Sequence, residues 1–151
     1  MGSFELGTDG PGAIVVGVDG TPTSMRAAAY AAGLARRQHT RVIAVFARST
    51  PATLLTLADH SGLATTAVLE AQEDLARQLR AELTKQSGIW GVRAELVVRT
   101  GDPLTVLSEV AEETRADAVV VGSSASFGHR IAGSLAVRLV RCGRWPVTVV
   151  P

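Results

Sequence analysis

The chain has one cysteine, Cys142, which excludes an internal disulfide and a metal site built from cysteines. A lone thiol suits a reducing compartment, so a cytoplasmic location is the expectation. Aromatic residues are scarce at 4%, while Ala, Val and Leu are plentiful, a mixture that suits helices packed on a sheet better than an all-β sandwich. Neither sign of charge prevails. The net charge is +1 and no basic block of five or more occurs, so neither nucleic acid nor a membrane surface is expected as a partner. No apolar run approaches the roughly 20 residues that a membrane span needs. The opening MGSFELGTDGPG has neither a basic start nor an apolar centre, and residues 1–12 read as a flexible tail rather than a signal peptide. The remainder of the 151 residues, 13–151, is long enough for a single domain with a real core.

Short apolar runs alternate with helical patterns. AIVVGV (13–18), VIAVFA (42–47), DAVVVG (117–122) and VTVV (147–150) read as strands, three of them buried on both faces. RAELVV (93–98) carries a charged position, as a sheet edge tolerates. A helix is expected from the DGTPTS turn to about Gln38, capped by Thr21 or Thr23 with Pro22 in its first turn. Residues 48–64 read as a loop with a short helical turn near Leu54–Ala58. Ala64, Val68, Ala71, Leu75, Leu79 and Leu83 then trace one helical face, and Gly88 is expected to end that helix. Asp102 and Pro103 mark the start of another helix. The last helix is expected over 133–142, with Gly143 as its stop. The order β-α-β-loop-α-β-α-β-α-β implies an α/β fold, a parallel sheet with helices on both faces and right-handed crossovers.

Open parallel sheets bind ligands at the carboxyl ends of strands where strand order reverses. The first strand ends at Asp19. The fourth runs into GSSASFGHRIAGS, whose closing Gly133-Ser134 opens a helix. Free amides at a helix start attract anions. Two readings stand side by side. One is a nucleotide or phosphate pocket; in the other, Gly122, Gly128 and Gly133 simply permit tight turns. The loop is neither a Walker pattern nor GxGxxG.

IVVGVDGT, GDPLTVLSEVAEETRADAVVVGSS and GSLAVRLVRCGRWPVTVV, taken in order, resemble the universal stress protein family over nearly all of residues 13–150. That resemblance implies a five-stranded parallel sheet of order 3-2-1-4-5, Rossmann-like and of the adenine-nucleotide-hydrolase type. It implies a homodimer formed by antiparallel pairing of Val147–Val150, and a regulatory role in stress response. It further implies binding of ATP or another adenine nucleotide, with or without magnesium. The protein partner stays open.

Carried over by position, Val18 and Asp19 lie beside the nucleoside and the backbone at Ala47 meets adenine. Gly122, Ser123, Ser124, Gly133, Ser134 and Leu135 line the phosphates. The family's ATP-binding pattern, G-x2-G-x9-G-[ST], is altered here. Ala125 occupies the second glycine position, and ten residues separate Gly122 from Gly133 where the pattern has twelve. The loop is shorter by up to about 7 Å of contour. Gly128 is the candidate replacement glycine, and Arg130 the candidate partner for the terminal charge.

No residue set indicates catalysis, and any ATP hydrolysis should be slow. Asp19 lacks the acidic companions and the lysine of a phospho-acceptor site. His129 has no placed serine or aspartate partner, and His39 and His60 suggest no metal pair. An enzyme of the related hydrolase-like fold would need an SGGxDS-type or HIGH-type loop, and neither occurs. A nucleotide-free dimeric interaction module is the remaining alternative. Cys142 is expected to be a small buried residue and Trp145 a packing anchor. Arg138, Arg141 and Arg144 read as a solvated helix end or, alternatively, as a lure for an acidic partner.

Overall fold

The computed structural model describes residues 12–50, 63–123 and 134–151. One parallel sheet is formed by β1 (Ala13–Gly17), β2 (Val42–Arg48), β3 (Ala94–Thr100), β4 (Ala116–Gly122) and β5 (Val147–Val150). Its order is β3-β2-β1-β4-β5, as the sequence led us to expect. The described helices are α1 (Pro22–Arg37), α2 (Leu63–Trp90), α3 (Pro103–Glu113) and α4 (Ser134–Cys142). The short turn expected near Leu54–Ala58 lies outside the described residues.

The continuous apolar runs are explained by two cores, one on each face of the sheet. Side chains alternate along a strand. Ile14, Val16 and Val18 of the first strand segment therefore join Val42, Ala44 and Phe46 beneath α1 and α2. Ala13, Val15, Ile43 and Val45 turn the other way and meet Val106, Leu107 and Val110 of α3 and Leu139 of α4. The central strand has no solvated face, so neither register nor composition is free there.

Helix α1 starts where its local chemistry dictates. Thr21 is the N-cap, its hydroxyl accepting from the Ser24 amide at 3.3 Å, and Pro22 follows. Its buried stripe is Ser24, Ala27, Ala28, Ala31, Ala32 and Ala35. Such small side chains let the helix axis lie close to the sheet. Helix α3 is capped by Asp102, which accepts from the Thr105 amide at 3.1 Å, and Pro103 follows. Gly143, with φ +64°, comes directly after α4 as expected.

Two expectations about α2 are corrected. Gly88 does not end it; the helix continues to Trp90, and Gly91, with φ +64°, makes the turn. A helical glycine costs only about 1 kcal/mol. The last turn holds Trp90 against the first core, and the Ser87 hydroxyl closes on the Val92 carbonyl at 2.6 Å. The expected apolar face is also not buried throughout. Ala76, Leu79 and Leu83 are buried, but Val68 is 39% exposed. The 28 residues of α2 span about 42 Å, against about 23 Å for a seven-residue strand, so one end must overhang the sheet. Cys142 is a third correction. It is exposed, at the end of α4, with its thiol leaning on the Leu139 carbonyl at 3.0 Å.

Enlarging the alanine stripe should be costly. Ala31→Leu inserts three carbons at a fully buried position, and urea denaturation should show a loss of about 1–3 kcal/mol. An exposed change on the same helix, Arg37→Leu, should leave the midpoint nearly unmoved.

Candidate functional site

The β1–α1 turn and the end of β4 meet at the point where strand order reverses. Val16 lies opposite Val120, so Val18 comes level with Gly122 two residues on. Contact between the two elements is made backbone to backbone. A Cβ on Gly122 would sit 2.8 Å from the Thr23 carbonyl carbon and oxygen and 3.0 Å from the Ser24 amide nitrogen. No other residue fits unless α1 moves away. Gly122 is therefore required by packing, whatever ligand the crevice takes.

Asp19 begins the turn. Its Oδ1 accepts from the Thr21 amide at 3.0 Å and the Thr21 hydroxyl at 2.6 Å. Its own amide donates to the Ser24 hydroxyl at 3.2 Å. Partial burial works to raise the Asp19 pKa, but the hydrogen bonds from the Thr21 hydroxyl and amide outweigh it. The carboxyl is held below its ordinary value and is charged at neutral pH. Gly20 follows with φ +81°, and a Cβ there would meet Leu75 of α2 at 2.7 Å. That leucine closes the turn from the side of the first core.

The other expected residues divide by position. Val18 is buried, its amide donating to the Val45 carbonyl at 2.9 Å. Ala47 is half-buried, with its side chain against the second core. Residues 41 and 45 turn their carbonyls to β1, whereas Arg48 turns its own to Gly101. By that alternation the N–H and C=O of Ala47 point past the end of β1, beside Asp19. The Ser123 amide donates to the Val150 carbonyl at 2.7 Å, so it is already engaged. Ser134 is the first residue of α4, and Leu135 packs on the second core. Ser124, Gly128, Arg130 and Gly133 lie outside the described residues, as does Ala125. The structure thus brings Val18, Asp19, Gly122 and Ser123 together, with Ala47 on the other side of β1.

Sequence reading missed Ser24. The signal was present: Ser24 is the first member of the stripe that continues as alanines at 27, 28, 31, 32 and 35. It also missed the work done by Asp102 beyond capping. Arg138 of α4 places both guanidinium nitrogens on that carboxylate, at 3.1 and 3.2 Å. The Arg138 hydrogen bonds hold the Asp102 pKa low against partial desolvation, helped by the Thr105 amide and hydroxyl. This fork ties α4, whose start carries Ser134, to the head of α3. Arg144 pairs with Glu112 at 2.8 Å and stacks on Trp145, 4.6 Å from the ring centre. These two arginines are therefore committed within the molecule. Among the described residues, no cluster of three His, Cys, Asp or Glu could hold a metal ion, and no helix is long and apolar enough to cross a membrane.

The model of the universal stress protein family matches residues 12–151. The chain belongs to the universal stress protein family. Universal stress protein MJ0531 of Methanocaldococcus jannaschii is 28% identical over 143 residues, covering 91% of this chain and 80% of that protein. Among solved structures, a universal stress protein family member from Burkholderia pseudomallei superposes with a TM-score of 0.73 at 24% identity, over 93% of this chain and 96% of that one. A universal stress protein in complex with cAMP gives 0.68 at 23%, over 93% and 97%. These likenesses confirm the universal stress protein fold of the sheet and helices.

In this universal stress protein, Gly122→Ala should destabilise the ligand-free state by about 1–3 kcal/mol in urea. Gly17→Ala should cost less, because its Cβ would meet only side-chain carbons at 3.5 Å or more. Asp102→Ala removes cap and fork together, for an expected loss of about 1–2 kcal/mol at pH 7. Because the folded pKa is lowered, the wild-type advantage is full above the ordinary carboxylate range. It should shrink as pH falls through the folded value, a trend that urea titrations at pH 7 and in acid would reveal.

Proposed function

We propose that this protein binds an adenine nucleotide, ATP in the simplest case, in the crevice between β1 and β4, and acts as a dimeric regulator in the stress response. The observation that carries the reading is the Asp19 turn: a charged carboxylate, held by Thr21, at a switch point beside a backbone-exposing glycine. Asp19 accepts from the nucleoside, and the free edge of Ala47 meets the base. Gly122, the Ser123 and Ser124 hydroxyls, Gly128, Gly133, Ser134 and Leu135 line the phosphates, with Arg130 on the terminal charge. The engaged amide of Ser123 leaves its hydroxyl for that task. Magnesium, where present, arrives on the phosphates. A relative in fold whose structure is a complex with cAMP supports an adenine-bearing ligand.

Dimerisation uses β5. Val147–Val150 form the edge of the sheet and are only half-buried, so a second copy finds unpaired backbone and apolar side chains there. The protein works in the cytoplasm, and hydrolysis of ATP is slow at most. The second reading, a nucleotide-free dimeric interaction module, is favoured by one observation: the packing of Gly122 on α1 explains that glycine with no ligand at all.

A thermal shift assay with ATP and magnesium separates the two. At a hundredfold excess over Kd, binding adds about 2.7 kcal/mol, a rise of about 5–10 °C. Asp19→Ala and Gly133→Val should abolish that rise. A wild type that is unmoved by ATP, ADP, AMP and cyclic AMP would leave only the interaction module.

A further inference from the structure

We infer that Ser24 is a positioning residue for the Asp19 turn. Its hydroxyl fixes the backbone from which the carboxylate meets a nucleoside, and so sets the direction of that carboxylate. The inference rests on the nucleotide reading above.

Among the described residues Ser24 is the one buried polar side chain, 5% exposed, on a stripe that is otherwise alanine. A buried hydroxyl needs at least one hydrogen-bond partner, and it is satisfied best where its donor and acceptor roles are both met. Here both are: it donates to the Thr21 carbonyl at 3.0 Å and accepts from the Asp19 amide at 3.2 Å. A second relay runs beside the first. The Ser24 amide donates to the Thr21 hydroxyl, and that hydroxyl donates to Asp19 Oδ1. One relay ends on the Asp19 backbone and the other on its carboxylate. On its far side, the Ser24 amide nitrogen lies 3.0 Å from where a Gly122 Cβ would be. Ser24 therefore touches both walls of the crevice.

Helix capping does not account for this hydroxyl. Thr21 already caps α1 and Pro22 already sets its first turn, so the helix could begin with alanine at position 24. What the hydroxyl adds is a fixed Asp19 amide, and with it a fixed torsion between strand and carboxylate.

The test follows the Asp19 amide by NMR hydrogen exchange in ligand-free wild type and Ser24→Ala, with ATP affinity measured by calorimetry. Ser24→Ala should lose the exchange protection of the Asp19 amide and bind ATP roughly five- to tenfold more weakly. Ser87→Ala removes a structural serine hydroxyl at the far end of α2, and should leave both readouts unchanged. Should Ser24→Ala fail to fold, Ser24→Thr and Ser24→Val replace it, a pair of equal size that differs in the hydroxyl. Equal Asp19 amide protection, or equal measurable ATP affinity, in wild type and Ser24→Ala, or in the Thr and Val pair, overturns the inference. Absence of ATP binding by the wild type overturns the nucleotide reading instead.

Discussion

The first turn of α1 lies on the end of β4 with no side chain between them. That approach depends on Gly122 having no Cβ, and on an α1 face made of alanines and one serine. Each condition needs the other. A larger residue on the stripe would lift the helix, and a side chain at 122 would push its first turn outward. Both would open the crevice that Asp19 borders. Interiors are packed densely enough that a shift of this kind is not absorbed locally. The site's geometry is thus a by-product of how closely one helix is allowed to approach one sheet.

The same packing decides what Asp19 can do. Held by Thr21 and Ser24, the carboxylate is an acceptor of fixed direction. Such an arrangement suits recognition of a hydroxyl or amine more than acid–base chemistry, which favours a pKa near the working pH. A lowered carboxyl pKa keeps that acceptor ionised at neutral pH.

Most of the fold was legible in the sequence because its signals are local and strong. AIVVG and VIAVFA are apolar without interruption, and a strand reads that way only when both faces are covered. The Thr21-Pro22 and Asp102-Pro103 starts were visible for the same reason: capping is decided by two or three adjacent residues. The end of α2 was not. Gly88 looks like a stop, but whether a glycine stops a helix depends on what the next turn packs against, and Trp90 has a core to reach. Cys142 was misjudged likewise, since exposure at the last residue of α4 is a matter of where the helix outruns its neighbours. In the site, Asp19 and Gly122 stood out by residue type and place. Ser24 did not, because one serine among alanines carries no message until its two partners are known. The engagement of the Ser123 amide by Val150 was equally hidden, for it joins residues from different strands.

Strand order has a consequence for how the molecule is made. β1 leaves the ribosome first and must occupy the middle of the sheet. One of its neighbours, β2, emerges promptly, with Val42 settling against Ile14. The other, β4, sets Ala118 against that same isoleucine, roughly a hundred residues of synthesis later. Until then the most apolar strand of the protein has one flank bare, and the nascent chain carries a sticky, half-built layer. The interval in which this protein is most exposed to misassociation is thus written into its topology: it ends when β4 emerges and Gly122 lets α1 settle onto it.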